Sequence, residues 1–314
     1  MPTKAEIKPK MNHLLQKIQS ACREEYKKGA VATYIPELGN ADPRDFGIAI
    51  ATNEGEIFYT GAADKHFTMQ SIIKPIILLL AIQDAGHERV RALVGVESTG
   101  KPFDSFNYSD LALTGEHINP MINTGAIALC SLIKGTNEEK FERLISLVKR
   151  LSKGGEIHLD EAVYRSESRT GNKNRALAYL LKAYKLIDCD AEEIVDFYFR
   201  ACSITASCRD LARIALVFAN HGRDPISGEA HFDAHTARYI NAILTICGMY
   251  DGSGDFALNV GVPAKSGVGG GIMAIVPGKM GIGVFSPALD SKGNSVAGLA
   301  AMKMLSEELD MSIF

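Results

Sequence analysis

The chain lacks both a charge excess and a long hydrophobic run, and each absence excludes a class of protein. Its 314 residues carry a formal net charge of −3, which gives no general attraction to nucleic acid or to an anionic membrane surface. The longest apolar stretch, IILLLAI at 76–82, is about seven residues long, whereas roughly 20 are needed to span a bilayer. Because the charged N-terminus does not resemble a signal peptide either, we expect a cytoplasmic protein.

Motifs for metals, disulfides and nucleotides are also missing. The six cysteines include no Cys-x-x-Cys pair, so we expect them to be reduced and to hold no zinc. His231 and His235 have the spacing of a metal-binding pair but lack the glutamate of a His-Glu-x-x-His motif, which predicts a surface loop leading into a helix. The glycine run near 267–271 fails the dinucleotide-binding pattern, because Ile272 occupies the place of the last glycine. The sequence therefore predicts no metal and no organic cofactor.

The order of predicted elements indicates an α+β protein. Strand patterns lie near both ends, at 45–52, 56–60, 260–265, 271–276 and 280–285. Helical patterns fill the middle, at 70–84, 125–133, 137–153, 175–185, 191–202, 208–219 and 235–247, and terminal helices are predicted at 10–29 and 295–309. The polar segments 165–174 and 221–229 are expected to be loops. We predict one antiparallel sheet flanked by the terminal helices with an all-helical domain inserted, so that the sheet domain comprises 1–70 and 251–314 and the helical domain 71–250.

Ser71 and Lys74 form the most informative short motif. Because they are three positions apart, both side chains would lie on one face of a helix, one turn apart. An amine at hydrogen-bonding distance can activate a hydroxyl as a nucleophile, and desolvation in this apolar stretch would lower the pKa of the lysine, as a general base requires. The helix N-terminus would also favour a developing oxyanion. Such a motif alone occurs by chance in many chains.

A second motif, Lys265-Ser266-Gly267, ends a predicted strand. A Lys-Ser/Thr-Gly triplet on a strand, combined with Ser-x-x-Lys at a helix start, is the pairing found in serine β-lactamases and penicillin-binding proteins. Small residues at this point let the substrate and the backbone approach each other closely. The two motifs together predict nucleophilic acyl transfer at a serine.

Longer motifs resemble one family over nearly the whole chain, from about Tyr34 to the last helix. They are, in order, YIPEL at 34–38, QSIIKP at 70–75, NPMINTGAI at 119–127, SES at 166–168, DFYF at 196–199, CGMYD at 247–251 and PAKSGV at 263–268. Together they closely resemble the serine-dependent glutaminases, which hydrolyse glutamine to glutamate and ammonia on a β-lactamase-like fold. The resemblance implies an active site at the junction of the two predicted domains. It also implies a homo-oligomer, either a dimer or a tetramer.

Site residues are carried over from this resemblance by position. It implies that Ser71 is the nucleophile, Lys74 its base and Tyr250 a proton relay, with the backbone N–H groups of Ser71 and Val268 forming the oxyanion hole. The implied glutamine pocket is lined by Tyr34, Ser71, Asn123, Glu167, Asn174, Tyr198, Tyr250 and Val268. Their chemistry suits a zwitterion with an amide tail, because a carboxylate such as Glu167 pairs with an α-ammonium and asparagines bind carboxylates and amides. Lys265, supported by Ser266 and Gly267, would help to keep Lys74 neutral by like-charge repulsion.

Two other functions use the same motifs. A β-lactamase or a peptidase for D-Ala-D-Ala-like substrates would share the serine and both lysines, but it would show Ser-x-Asn where this chain has NPMIN, and acylation by penicillin would identify it. A catalytically inactive amino-acid sensor would bind glutamine without releasing ammonia. Such a sensor would be expected to lack Ser71 or Lys74, and both are present.

Overall fold

A five-stranded antiparallel sheet lies at the centre of the fold. The computed structural model describes residues 4–98 and 118–314, and the strands are ordered β3-β2-β8-β7-β6 across this sheet. Two-residue strands form two further pairs, β1 with β9 and β4 with β5. The strands are β1 (Ala30–Val31), β2 (Gly47–Thr52), β3 (Ile57–Gly61), β4 (Phe67–Thr68), β5 (Thr205–Ala206), β6 (Ala264–Ser266), β7 (Gly271–Val276), β8 (Met280–Phe285) and β9 (Ala288–Leu289).

The helices surround this sheet and fill the middle of the chain. They are α1 (Lys4–Cys22), α2 (Lys74–Leu93), α3 (Asn123–Cys130), α4 (Asn137–Leu151), α5 (Glu161–Thr170), α6 (Asn172–Ala183), α7 (Ala191–Cys202), α8 (Cys208–Ala219), α9 (Ala234–Cys247), α10 (Ser253–Asn259) and α11 (Val296–Leu309). Among the described residues, no helix is both long enough and apolar enough to cross a bilayer.

Both faces of the sheet are covered, which explains why its strands read as nearly continuous apolar runs. Successive side chains of a strand point to opposite faces. In β2, Ile48 and Ile50 pack in one hydrophobic cluster with α1 and α11, whereas Ala49 and Ala51 join the cluster that contains the central helices. The sheet therefore separates two hydrophobic cores.

Helix α8 lies flat against the second face of the sheet. A Cβ atom at Gly283 of β8 would overlap the carbonyl oxygen of Cys208, and one at Gly281 would overlap that of Ala212. Ser207 caps the helix by accepting a hydrogen bond from the backbone N–H of Asp210, whose carboxylate accepts one from the N–H of Ser207. This helix belongs to the segment predicted as the helical domain, and the division into two domains stays a prediction.

Most of the predicted elements are confirmed. The sheet strands agree within a few residues, and α7 and α8 begin and end at the predicted residues. The first helix ends at Cys22, and Glu25–Lys28 forms a separate 3-10 turn before Gly29. His231 and His235 lie before and at the start of α9, as predicted. The short helix α10 and strand β5 were not predicted.

The predicted loop at 165–174 is wrong, because this segment belongs to α5 and α6. Asp160 caps α5 by accepting hydrogen bonds from two backbone N–H groups. The buried face of α5 includes Val163, Ser166 and Glu167, so two of its three buried side chains are polar. The apolar periodicity that indicates a helix is therefore absent from the sequence.

Candidate active site

Ser71 lies at the point where the chain enters the central helix. Residues Gln70–Ile73 form one 3-10 turn, and α2 continues from Lys74 with a proline in its first turn. Proline is tolerated there because its missing N–H has no partner in the first turn of a helix. Immediately upstream, the N–H of Met69 donates to the carbonyl of Ile204 at 2.8 Å, which fixes the turn against the β4–β5 pair. Ser71 is 6% exposed.

Lys74 is completely buried beneath this turn. Its ammonium or amine Nζ donates to Asn123 Oδ1 at 2.8 Å and to the Met121 carbonyl at 3.1 Å. Asn123 is itself held by two neighbours, because its Nδ2 donates to Asn174 Oδ1 at 2.9 Å and its Oδ1 accepts from the Tyr198 hydroxyl at 3.3 Å. A polar network therefore connects Lys74 to three of the residues implied by the family resemblance.

Ser71 and this network open into a cavity of ≈ 410 Å³. That volume is in the range of small-molecule sites. The cavity is lined by residues from widely separated parts of the chain: Tyr34, Ile35, Gln70, Ser71, Asn123, Glu167, Thr170, Gly171, Asn172, Lys173, Asn174, Tyr198, Cys202 and Val268. Every residue that the sequence analysis placed in the glutamine pocket is among them except Tyr250.

Glu167 is the buried acid of the cavity. Helix α5 presents it inward with 5% exposure, and burial raises the pKa of its carboxyl to about 8, although Gln70 and Lys74 oppose this rise. Its Oε2 accepts no hydrogen bond within the described part of the chain. A buried carboxyl group that faces a cavity is well suited to a cationic ligand, because an ion pair with the ligand offsets the cost of ionising it.

Tyr250 lies behind Ser71 and does not line the cavity. Burial raises the pKa of its phenol, while the nearby hydroxyls of Ser71 and Ser266 counteract the rise. Its backbone is left-handed, with φ 52°. This conformation costs a non-glycine residue energy and persists only where surrounding contacts hold it. The phenol lies near the hydroxyl of Ser71, and its role as a proton relay stays a prediction.

Lys265 contacts the ring of Tyr250 and the backbone two residues before it. It is completely buried, and its Nζ donates to the carbonyls of Gly248 and Ser266 at 2.9 and 2.7 Å and lies 4.2 Å from the ring centroid of Tyr250. Burial lowers the pKa of Lys265 well below its usual value, and the neighbouring Lys74 lowers it further. The two lysines thus disfavour each other's positive charge.

The glycine run after Lys265 lets this loop approach the Ser71 turn. A Cβ atom at Gly267 would lie 2.5 Å from the carbonyl oxygen of Met69, and one at Gly269 would lie 2.6 Å from that of Thr68. Neither position has room for a side chain, so the backbone around Val268 passes directly beside the chain that leads to Ser71. This is the close approach that a second backbone oxyanion donor requires.

Several residues that line the cavity were not singled out in the sequence. Lys173, Cys202 and Gln70 carry functional groups that face the same space. Gln70 precedes Ser71 in one of the quoted motifs, but its left-handed backbone, with φ 48°, has no signature in the sequence. Among the described residues, no cluster of three or more side chains is arranged to hold a metal ion.

Fold and site together define a β-lactamase-like enzyme with a serine in the wall of a cavity and two completely buried lysines nearby. The family model described as Glutaminase matches residues 29–314, and the chain belongs to this glutaminase family. The glutaminase of Clostridium tetani is 47% identical over 305 residues, which cover 97% of this chain and 100% of that protein.

Solved structures agree with this assignment. The probable glutaminase ybaS superposes with a TM-score of 0.92 at 36% identity, covering 98% of each chain. The Bacillus subtilis glutaminase YbgJ, solved as a covalent complex with 5-oxo-L-norleucine, superposes with a TM-score of 0.86 at 34% identity, covering 98% of this chain and 99% of that one. The protein is a glutamine amidohydrolase.

Proposed function

We propose that this glutaminase hydrolyses the side-chain amide of L-glutamine in two acyl-transfer steps, with Ser71 as the nucleophile and Lys74 as its base. The observation that carries the proposal is that Ser71 lies in the cavity wall, three positions before a completely buried lysine. Burial disfavours the charged form of an amine, and a second lysine nearby disfavours it further, so Lys74 is placed to accept a proton.

In the first step, neutral Lys74 removes the proton of Ser71, and the alkoxide attacks the amide carbon of glutamine. The oxyanion of the tetrahedral intermediate accepts hydrogen bonds from the backbone N–H groups of Ser71 and Val268. Loss of one such donor costs roughly 2.7–4 kcal/mol in the barrier of a related reaction. When the carbon–nitrogen bond breaks, ammonia leaves with a proton returned from Lys74 or through Tyr250. Water then cleaves the γ-glutamyl ester and restores Ser71.

Recognition of the amino-acid end is assigned to the other polar residues of the cavity. The carboxylate of Glu167 pairs with the α-ammonium of glutamine, and the amides of Asn123 and Asn174 together with the hydroxyls of Tyr34 and Tyr198 bind its oxygen atoms. Tyr34 is 57% exposed and stands at the cavity mouth. These groups fix the substrate so that only its side-chain amide reaches Ser71.

The covalent complex of the Bacillus subtilis enzyme supports a nucleophilic mechanism for this chain, because that protein reacted with 6-diazo-5-oxo-L-norleucine to form it. The test is Ser71→Ala, assayed for ammonia release from glutamine and for a mass increase after exposure to the same reagent. We expect turnover to fall by roughly 10³-fold or more and the adduct to be lost. Ser131→Ala, after α3 and outside the cavity, is the matched control. A Ser71→Ala protein with near-normal turnover would overturn the proposal.

We also propose that the enzyme acts in the cytoplasm as a homo-oligomer, either a dimer or a tetramer. The family resemblance supports the oligomer, and the six cysteines, none of which forms a disulfide, support a reducing compartment such as the cytoplasm. Light scattering after size-exclusion chromatography tests the oligomer, and a single protomer mass at micromolar concentration would contradict it.

A further inference from the structure

We propose that Asn294 is a positioning residue, whose side-chain amide fixes the turn that carries Tyr250. The inference rests on the proposed function, since it assumes that the Tyr250 phenol takes part in proton transfer at Ser71. Asn294 belongs neither to the cavity at Ser71 nor to the motifs from which the site residues were carried over.

Tyr250 begins a single 3-10 turn, Tyr250–Gly252, between α9 and α10. Its left-handed φ of 52° has to be held by surrounding contacts. Local contacts come from Ser253, whose Oγ accepts a hydrogen bond from the N–H of Met249 at 3.1 Å and donates one to the carbonyl of Tyr250 at 2.9 Å. These bonds join residues within four positions of each other, so they fix the shape of the turn and leave its placement to contacts from elsewhere.

Asn294 supplies such a contact from a distant part of the chain, in addition to those of Lys265. Its Nδ2 donates to the Met249 carbonyl at 3.1 Å, and both groups are buried. Asn294 is 1% exposed and lies between β9 and α11. A Cβ atom at Gly252 would lie only 3.1 Å from the same Nδ2, so the turn packs closely against the amide. The amide therefore anchors the residue immediately before Tyr250.

The backbone of Asn294 is itself held in place by Asp290. The N–H of Asn294 donates to Asp290 Oδ1 at 2.9 Å, and its carbonyl accepts from the N–H of Asp290 at 2.8 Å. Asp290 Oδ1 also accepts from the N–H of Lys292 at 2.9 Å, which closes the loop that follows β9. Because both polar groups of its backbone are fixed, Asn294 forms a rigid support for the turn.

The hydrogen bonds of this amide suit positioning better than stability. Asn294 Oδ1 is buried and accepts no hydrogen bond from the residues that the structure describes. Burying a polar atom without a partner costs free energy, which offsets part of what the bond to Met249 contributes. The Met249 carbonyl also accepts from the N–H of Gly252 at 3.0 Å, so it would stay hydrogen-bonded without Asn294. Loss of the amide should therefore alter the placement of Tyr250 more than the stability of the fold.

The perturbation is Asn294→Leu, which keeps the size of the side chain but removes its N–H donor. We expect kcat for glutamine to fall on the order of tenfold and KM to change less than about threefold, because a small displacement of a catalytic group lowers the rate of the chemical step. Tyr250→Phe should lower kcat by roughly 10²-fold or more, as is typical for the loss of a general acid–base group. In the double variant, kcat should equal that of Tyr250→Phe within about twofold, because Asn294 acts through the phenol.

A matched control and a stability measurement accompany these kinetics. Asn259→Leu is the control, because this exposed asparagine at the end of α10 makes the same kind of bond, from its Nδ2 to the Asp255 carbonyl at 2.8 Å. Its kcat should equal that of the wild type. The Tm of Asn294→Leu should stay within about 5 °C of the wild type. Asn294→Ala, which removes the amide without adding an apolar branch, should show the same kinetic pattern.

Four results would contradict the proposal. Losses in kcat that multiply in the double variant would show that Asn294 acts independently of Tyr250. A normal kcat in both Asn294 variants, with Tyr250→Phe impaired, would overturn the role of Asn294 alone. Loss of the folded state in both Asn294 variants would show a structural role in place of positioning. A normal kcat in Tyr250→Phe would instead overturn the relay role of Tyr250 in the proposed function, and the role of Asn294 with it.

Discussion

Replacing Glu167 by glutamine should weaken substrate binding and at the same time stabilise the free enzyme at neutral and alkaline pH. The carboxyl is buried, and its pKa lies at about 8 in the folded protein, compared with an ordinary value of 4.5. Between these two values the unfolded chain releases a proton that the folded protein retains. The folded state therefore loses stability relative to the unfolded state as pH rises through this range, and it loses no more above pH 8.

The size of the change in unfolding free energy follows from the pH interval between the two pKa values of Glu167. At about 1.4 kcal/mol per pH unit, the gap between 4.5 and about 8 corresponds to roughly 5 kcal/mol of unfolding free energy. Glutamine at this position does not titrate, so the stability difference between Glu167→Gln and the wild type should widen by this amount between pH 4.5 and 8. For a chain of this size, that is a change of roughly 10 °C in the Tm difference.

The assay is thermal unfolding of the ligand-free wild type and variant at half-unit intervals from pH 5 to 9. Other titrating groups act in both proteins, so they cancel in the difference. Glu161→Gln, an exposed acid at the start of the same helix, is the matched control. Saturating glutamate should raise the Tm of the wild type more than that of Glu167→Gln. Parallel Tm curves for Glu167→Gln and the wild type would refute the reasoning.

Two further predictions concern the sheet and the second lysine. Gly283→Ala should destabilise the protein by roughly 1–3 kcal/mol, because the new Cβ overlaps the Cys208 carbonyl. Gly254→Ala has open space around the new Cβ and should instead stabilise the protein by up to about 1 kcal/mol. Chemical denaturation measures both free energies of unfolding, and equal effects would contradict the close packing of α8 on β8. Lys265→Met should lower kcat by about tenfold or more with a smaller change in KM, since the Gly248 carbonyl, two residues before Tyr250, and the ring of Tyr250 both lose their contact with the amine. Steady-state kinetics tests this, and an unchanged kcat would count against it.

Elements with local signals were predictable. Strands β7 and β8 are apolar runs separated by Pro277 and Gly278, and α7 and α8 follow the acidic or hydroxyl caps Asp190 and Ser207. These signals act over a few residues, so the sequence contains them in full. Helix α5 escaped prediction because its buried face is built from polar side chains, whose burial is decided by the cavity and not by helical periodicity.

Those parts of the site that depend on neighbouring residues could also be predicted, whereas those that depend on distant contacts could not. The spacing of Ser71 and Lys74 places them one turn apart, and the quoted motifs pointed to most of the cavity wall. Gln70 was not identified as part of the cavity wall, since neither its left-handed backbone nor its burial follows from neighbouring residues. Both arise from contacts with a loop almost 200 positions further along the chain.

Local sequence patterns account for most of the strands and helices, for the spacing of Ser71 and Lys74, and for the family to which the chain belongs. These depend on interactions between residues that are close in the chain or on the identities of the residues themselves. The tertiary structure was needed to show that Tyr250 lies outside the cavity wall, and that burial strongly shifts the pKa values of Glu167 and Lys265. Desolvation and charge–charge repulsion depend on everything that surrounds a group, and those surroundings exist only once the chain has folded.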